Sequence, residues 1–127
     1  MIVGGNSVSL QAQRGSLNIH IRTAGPATIL DIEGAMKLGP TQEQFRDQIQ
    51  KLVDAGTTHI AINLSGITDL DSSGIGALVR AFTTLKRAGG KCTFFAPNKR
   101  VQMLLKMVRL DSVLDLAEDE ATALARI

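Results

Sequence analysis

The sequence is short of the side chains on which many enzymes and nucleic-acid-binding modules depend. Its 127 residues include no tryptophan, no tyrosine, two histidines and four phenylalanines. Phe45, Phe82, Phe94 and Phe95 lie in apolar patterns, which predict core positions rather than exposed platforms for stacked bases. With 14 basic and 12 acidic residues the net charge is only +2. We therefore expect no direct binding of nucleic acid.

Cysteine and long apolar runs are equally scarce. Cys92 is the single cysteine, so no intramolecular disulfide can form and a reducing cytoplasm suits the chain. Its strand-like surroundings predict a buried, unreactive thiol. The chain contains no apolar run of about eighteen residues, and residues 1–10 lack the basic and apolar regions of a signal peptide. We expect a cytoplasmic protein with no membrane insertion.

The chain length fits one domain with a core of its own. The hydrophobic fraction of 44% comes almost entirely from aliphatic side chains. Residues 1–14 mix glycine, asparagine, serine and glutamine without a sustained period, which predicts a loose leader. Residues 15–127 carry the patterns of regular structure and form the predicted domain.

Strand and helix patterns alternate through this domain. Residues 17–22 alternate apolar and polar positions, and a second strand at 27–32 follows the Gly25-Pro26 turn, which predicts an antiparallel hairpin. Further strands are predicted at 59–64, which is apolar enough to be covered on both faces, at 91–96 and at 113–114. Helical spacing predicts four helices, over 40–55, 73–88 and 98–108 and from the acidic residues 118–120 onward. The sequence thus predicts an α/β fold, a mixed sheet with an antiparallel N-terminal hairpin and parallel strands, packed with about four helices.

The most informative segment follows the central strand, where a loop over 65–70 is predicted to lead into Asp71-Ser72-Ser73-Gly74-Ile75-Gly76. Asp71 and Ser72 are both competent helix N-caps, and Gly74 and Gly76 would leave the first turn bare, so that another protein could approach the Ser72 hydroxyl. A phosphate on Ser72 would lie near the positive end of the helix, where this fold would tolerate it and a docked partner would not. From spacing alone, a helix start that is simply well capped remains an equal alternative.

Other chemistries fit this segment poorly. An EF-hand loop starting at Asp69 would need a glutamate where Arg80 stands, and neither G-x-S-x-G nor Gly-Lys-Ser/Thr occurs. His20 and His59 lie in strand patterns that favour structural roles, and two histidines with one cysteine match no zinc spacing. We expect no catalytic residue, no metal and no cofactor, and therefore no enzyme. A small-molecule or nucleotide site at the helix N-terminus remains a third possibility.

Residues 16–126 resemble the STAS domain family, specifically the stand-alone anti-sigma factor antagonists of bacteria. The resemblance is most specific from Ile62 to Leu78, which matches the family's strand, loop and D-S-[ST]-G-[LI]-G helix start. It implies that Ser72 is phosphorylated by an anti-sigma factor with histidine-kinase-like Ser/Thr kinase activity and is restored by a metal-dependent serine phosphatase. The unphosphorylated protein, a monomer or weak dimer, would capture the anti-sigma factor and free a sigma factor. The implied partner-binding residues are Lys37, Asp71, Ser72, Ser73, Gly74, Ile75 and Gly76.

Lys37 departs from the family pattern, because such antagonists often carry an acidic residue at this position. Lys37 could pair with phosphoserine, or the chain could belong to another branch, a constitutive STAS scaffold within a larger signalling or transport assembly. Basic residues recur between Lys86 and Arg109, and a solvated face is their ordinary explanation.

Overall fold

The computed structural model describes residues 17–127, so the predicted leader at 1–14 lies outside the described residues. The described chain forms five strands and four helices. In chain order they are β1 (Asn18–Ala24), β2 (Ala27–Met36), α1 (Pro40–Asp54), β3 (His59–Leu70), α2 (Ser72–Arg87), β4 (Lys91–Phe95), α3 (Lys99–Met107), β5 (Leu116–Ala117) and α4 (Glu120–Ala125).

The strands form one sheet in the order β1-β2-β3-β4-β5. β1 and β2 are antiparallel and joined by the two residues Gly25 and Pro26, with Gly25 at a φ of 59° that suits glycine. β2 through β5 are parallel, and α1, α2 and α3 each connect one of these strands to the next and return the chain to the same end of the sheet. The predicted α/β class, hairpin and mixed sheet are confirmed.

The two faces of the sheet are covered unequally. Helices α1, α2 and α3 pack on one face, where Phe45, Leu78 and Val101 meet the buried strand residues Ile62 and Phe94. The short helix α4 covers part of the other face with Ala123, against a small cluster of Ile29, Ala61, Phe95 and Ala117. β3 is therefore apolar toward both layers, as its sequence predicts, except where half-buried Asn63 donates to Asp31 at 2.8 Å.

The predicted loop over 65–70 is wrong, because these residues extend β3 to Leu70. They pair with the second half of β2, and the register shifts between Asp31 and Glu33 and again between Gly34 and Ala35. The two backbones approach closely at Gly66, where a Cβ would lie 2.5 Å from the carbonyl oxygen of Ile32. Bulges and glycines therefore let a polar-looking segment continue the ladder.

The last strand is also misplaced in the sequence prediction. It forms at Leu116–Ala117 rather than at 113–114, because Val113 and Leu114 donate backbone hydrogen bonds to Leu110 in a turn after α3.

The predicted burial of Cys92 is confirmed at 2% exposure, and burial raises the pKa of its thiol to about 12. In residues 17–127, every helix is too short or too polar to cross a bilayer.

Candidate functional site

The site is built on the junction between β3 and α2, where Asp71 is the N-cap. Asp71 is extended, with φ −104° and ψ −173°, and its Oδ1 accepts from the amide of Gly74 at 2.9 Å. Its Oδ2 accepts from the amide of Leu38 at 2.9 Å. These two backbone donors, together with the nearby charge of Lys37, hold the pKa of Asp71 below its ordinary value. Asp71 therefore fixes both the helix start and the loop after β2.

Ser72 is the first residue of α2 and is exposed, whereas Ser73 is half-buried. Because Asp71 supplies the cap, the alternative in which Ser72 caps the helix does not describe this structure. The first turn contains no acidic side chain. A negative group on Ser72 would lie beside the free amides of that turn, at the positive end of the helix dipole.

The two glycines of this turn have different roles. Gly74 is buried, and a Cβ there would lie 2.1 Å from the carbonyl oxygen of Met36, so glycine lets α2 pack on the end of β2. The expectation that Gly74 leaves the turn bare for a partner is therefore wrong. Gly76 meets that expectation, since a Cβ there would contact nothing within 4 Å. Ile75 lies between them, half-buried against the core.

The loop between β2 and α1 brings Lys37 and Leu38 to the same place. The amide of Lys37 donates to the Thr41 hydroxyl oxygen at 3.0 Å, and that hydroxyl donates back to the Lys37 carbonyl at 3.1 Å. Leu38 is 77% exposed although its amide is held by Asp71. Sequence reasoning missed Leu38. The available signal was a large apolar side chain between a lysine and Gly39-Pro40, in a segment with no helical or strand period.

A small ion cluster lies at the end of β3. The carboxylate of Asp69 pairs with Lys37 Nζ at 3.3 Å and with Arg100 Nε, from the first turn of α3, at 2.9 Å. The hydrogen bond from Arg100, the Leu70 amide and the Lys37 ammonium lower the pKa of Asp69 to about 2. Lys37 thus lies near the α2 turn, and its ion-pair partner in this structure is Asp69. Asn98 holds α3 against β3. Its Nδ2 donates to the Ile67 carbonyl at 2.7 Å, and its Oδ1 accepts from the Val101 amide at 2.9 Å and so caps α3.

The histidines and the largest described groove lie apart from the first turn of α2. His20 is exposed on the edge strand β1, and His59 lies at the opposite end of β3 from Asp71. Within residues 17–127 no group of three potential metal ligands occurs. An open groove of about 560 Å³ beside α3 and β5, lined in part by Gln102, Lys106 and Glu118, includes no residue of the α2 turn. Exposed Ser72 at the start of α2 instead lies near exposed Leu38 and Lys37 in the loop after β2, which the Asp71 carboxylate holds to the turn.

The chain is similar to a protein family and to a bacterial relative. The family model described as "STAS domain" matches residues 18–123. A Thermotoga neapolitana protein named as a homologue of the anti-sigma factor antagonist TM1081 is 25% identical over 77 residues, which cover 61% of this chain and 68% of that protein.

Solved structures share the same fold. An anti-sigma factor antagonist from Mycobacterium paratuberculosis superposes with a TM-score of 0.78 at 18% identity, covering 89% of this chain and 95% of that chain. The Bacillus cell fate determinant SpoIIAA in its phosphorylated form superposes with a TM-score of 0.66 at 19% identity, covering 85% and 97%. At these identities the likeness establishes the fold alone.

Proposed function

Since this chain belongs to the STAS domain family, we propose that it is an anti-sigma factor antagonist switched by phosphorylation of Ser72. In the unphosphorylated state it binds an anti-sigma factor that is also a histidine-kinase-like Ser/Thr kinase, and so releases a sigma factor. A metal-dependent serine phosphatase restores the binding state. ATP and metal belong to those partners, and the chain itself works in the cytoplasm without a cofactor.

One observation carries this proposal: Ser72 is exposed at the first position of α2, while Asp71 performs the capping. The serine hydroxyl is thus free for modification without loss of the helix start. Support also comes from the comparisons, because a relative is named an anti-sigma factor antagonist homologue and a protein of the same fold was solved in a phosphorylated form.

The physical form of the switch follows from charge. A phosphoserine carries nearly two negative charges at neutral pH, and the dipole of α2 makes them tolerable for the free chain. A partner packed against Leu38 and Ser72 would have to desolvate that dianion, and its own nearby carboxylates would be repelled by it. A hundredfold loss of affinity corresponds to about 2.7 kcal/mol, well within the effect of burying an unpaired charge.

The proposal is tested by mapping the phosphate. Affinity capture with wild-type and Ser72→Asp protein identifies a kinase that binds only the former, and intact-mass spectrometry then follows the reaction with that kinase and ATP. We expect one phosphate on wild type and on the matched control Ser73→Ala, and none on Ser72→Ala. One phosphate on Ser72→Ala would reassign the site, and equal capture by wild type and Ser72→Asp would support the constitutive scaffold instead.

A further inference from the structure

Helix α3 carries two exposed methionines among the polar residues of its outer face. Val101 and Leu105 are buried in the core, yet Met103 and Met107 are 55% and 73% exposed. These two methionines are four residues apart and therefore neighbours on one stripe of the helix. Val108, the C-cap residue that follows α3, and Val113, in the next turn, are also exposed. Single exposed apolar residues are ordinary, whereas a grouped set marks a contact surface.

Basic side chains surround this stripe. Residues 99–113 contain four cations, Lys99, Arg100, Lys106 and Arg109, all exposed, and one anion, Asp111. Methionine stripes adapt to varied apolar side chains because the thioether chain is flexible and polarizable. The complement of such a surface is an amphipathic segment whose apolar residues are bordered by carboxylates.

The stripe is continuous with the candidate site. Arg100 precedes Met103 by three residues and Met107 by seven, so the three side chains share one side of α3. The same Arg100 pairs with Asp69, which pairs with Lys37 next to the exposed Leu38. The first turn of α2 by itself is small compared with the roughly 800 Å² that each partner contributes to a stable interface. A partner seated on Ser72 therefore needs adjacent surface, and α3 offers it.

We propose that the Arg100–Met103–Met107 stripe is a second contact area for the protein that binds the α2 turn, and that this partner presents an acidic amphipathic helix to it. This inference rests on the proposed function. It also strengthens the effect of phosphorylation on binding. An acidic partner segment near Ser72 would be repelled by the phosphoserine, in addition to the cost of desolvating the phosphate.

The surface chemistry is tested first with synthetic helices. The probes are two alanine-based peptides of about 18 residues with the same leucine stripe, bordered by a few glutamates in one and a few lysines in the other, so that both can form helices. Protein labelled with ¹³C at methionine methyl groups reports contact directly, since Met103 and Met107 are exposed while Met36 is fully buried. We expect the glutamate peptide to shift the signals of Met103 and Met107 and leave Met36 unchanged, and the lysine peptide to shift none.

Variants then test the same surface with the captured partner. Met103→Gln/Met107→Gln should weaken the complex about tenfold or more, whereas Met103→Leu/Met107→Leu and the distant control Ile21→Thr, exposed at 42% on β1, should bind as wild type. Raising salt from about 0.1 M to about 1 M, which shortens the Debye length from about 10 Å to about 3 Å, should weaken the wild-type complex.

Each contrary outcome has a distinct meaning. The α3 contact is overturned if neither peptide shifts the methionine signals. It is also overturned if Met103→Gln/Met107→Gln binds the partner as wild type does while Ser72→Asp binds more weakly. Either result leaves the proposed function standing. A shift with the peptide but no effect of Ser72→Asp on any partner overturns the proposed function instead. Shifts that depend only on protein concentration, or that arise with anionic phosphatidylglycerol vesicles and not with the peptide, would assign the stripe to self-association or lipid and also overturn the contact.

Discussion

The carboxylate of Asp71 joins two segments that are 33 residues apart, because it accepts from its own helix at Gly74 and from the backbone amide of Leu38. The loop after β2 and the first turn of α2 thus form one unit. Leu38 is exposed on that unit and Ser72 begins the helix beside it. Under the proposed function, a phosphate on Ser72 would therefore act on a contact area that also includes Leu38.

Replacing Asp71 should separate capping from loop attachment. Asp71→Ala loses both hydrogen bonds, and we expect a loss of about 1–2 kcal/mol in the free energy of unfolding, measured by urea denaturation. Asp71→Asn keeps an acceptor for the cap but not two carboxylate oxygens, so its loss should be smaller. Equal stability of Asp71→Ala and wild type would show that the cap contributes nothing.

The two glycines of α2 form a matched pair. Gly74→Ala places a methyl group 2.1 Å from the Met36 carbonyl oxygen and should lower the free energy of unfolding by about 1–3 kcal/mol. Gly76→Ala enters open space and should be neutral or stabilise the chain by up to about 1 kcal/mol. Thermal unfolding of the two variants checks the contrast, which fails if Gly74→Ala is the more stable protein.

The ion cluster at Asp69 predicts a pH dependence of stability. Its pKa falls from the ordinary value of 3.8 to about 2 in the folded chain, so its contribution is present above about pH 4 and is lost as pH falls toward 2. Urea denaturation of Asp69→Asn between those values should show a shallower decline than wild type. Parallel curves for the two proteins would contradict the pairing with Arg100 and Lys37.

Cys92 should report unfolding rather than redox state. Burial, with a smaller contribution from Asp115, raises its pKa to about 12, so little thiolate exists near neutral pH. We expect negligible reaction with a thiol-specific reagent in the native protein and complete reaction in denaturant. Rapid native labelling would mean that β4 opens readily.

Local periodicity is enough to predict most of the fold. The hairpin, the apolar β3 and the three larger helices follow from patterns within single segments. The end of β3 was missed because its pairing depends on bulges in β2 and on a close approach at Gly66. Likewise, Gly74 looks like a permissive residue until Met36, far away in sequence, is placed against it.

The residues that frame the site depend still more on tertiary structure. Asp69 and Arg100 are 31 residues apart, and only the packing of α3 beside β3 brings them together. Leu38 lies in a segment with neither helical nor strand periodicity, so the sequence pattern does not predict its exposure. Motif reading could select Asp71 and Ser72 because the capping pattern lies within one short segment, whereas the contacts of Asp71 with Leu38 and of Lys37 with Asp69 depend on the folded chain.

The most direct test of the account is the affinity of the partner complex measured by calorimetry before and after complete phosphorylation of Ser72. The account predicts that the phosphate weakens binding about a hundredfold, equivalent to about 2.7 kcal/mol, and that phosphatase treatment restores it. An unchanged affinity after phosphorylation at Ser72 would contradict it.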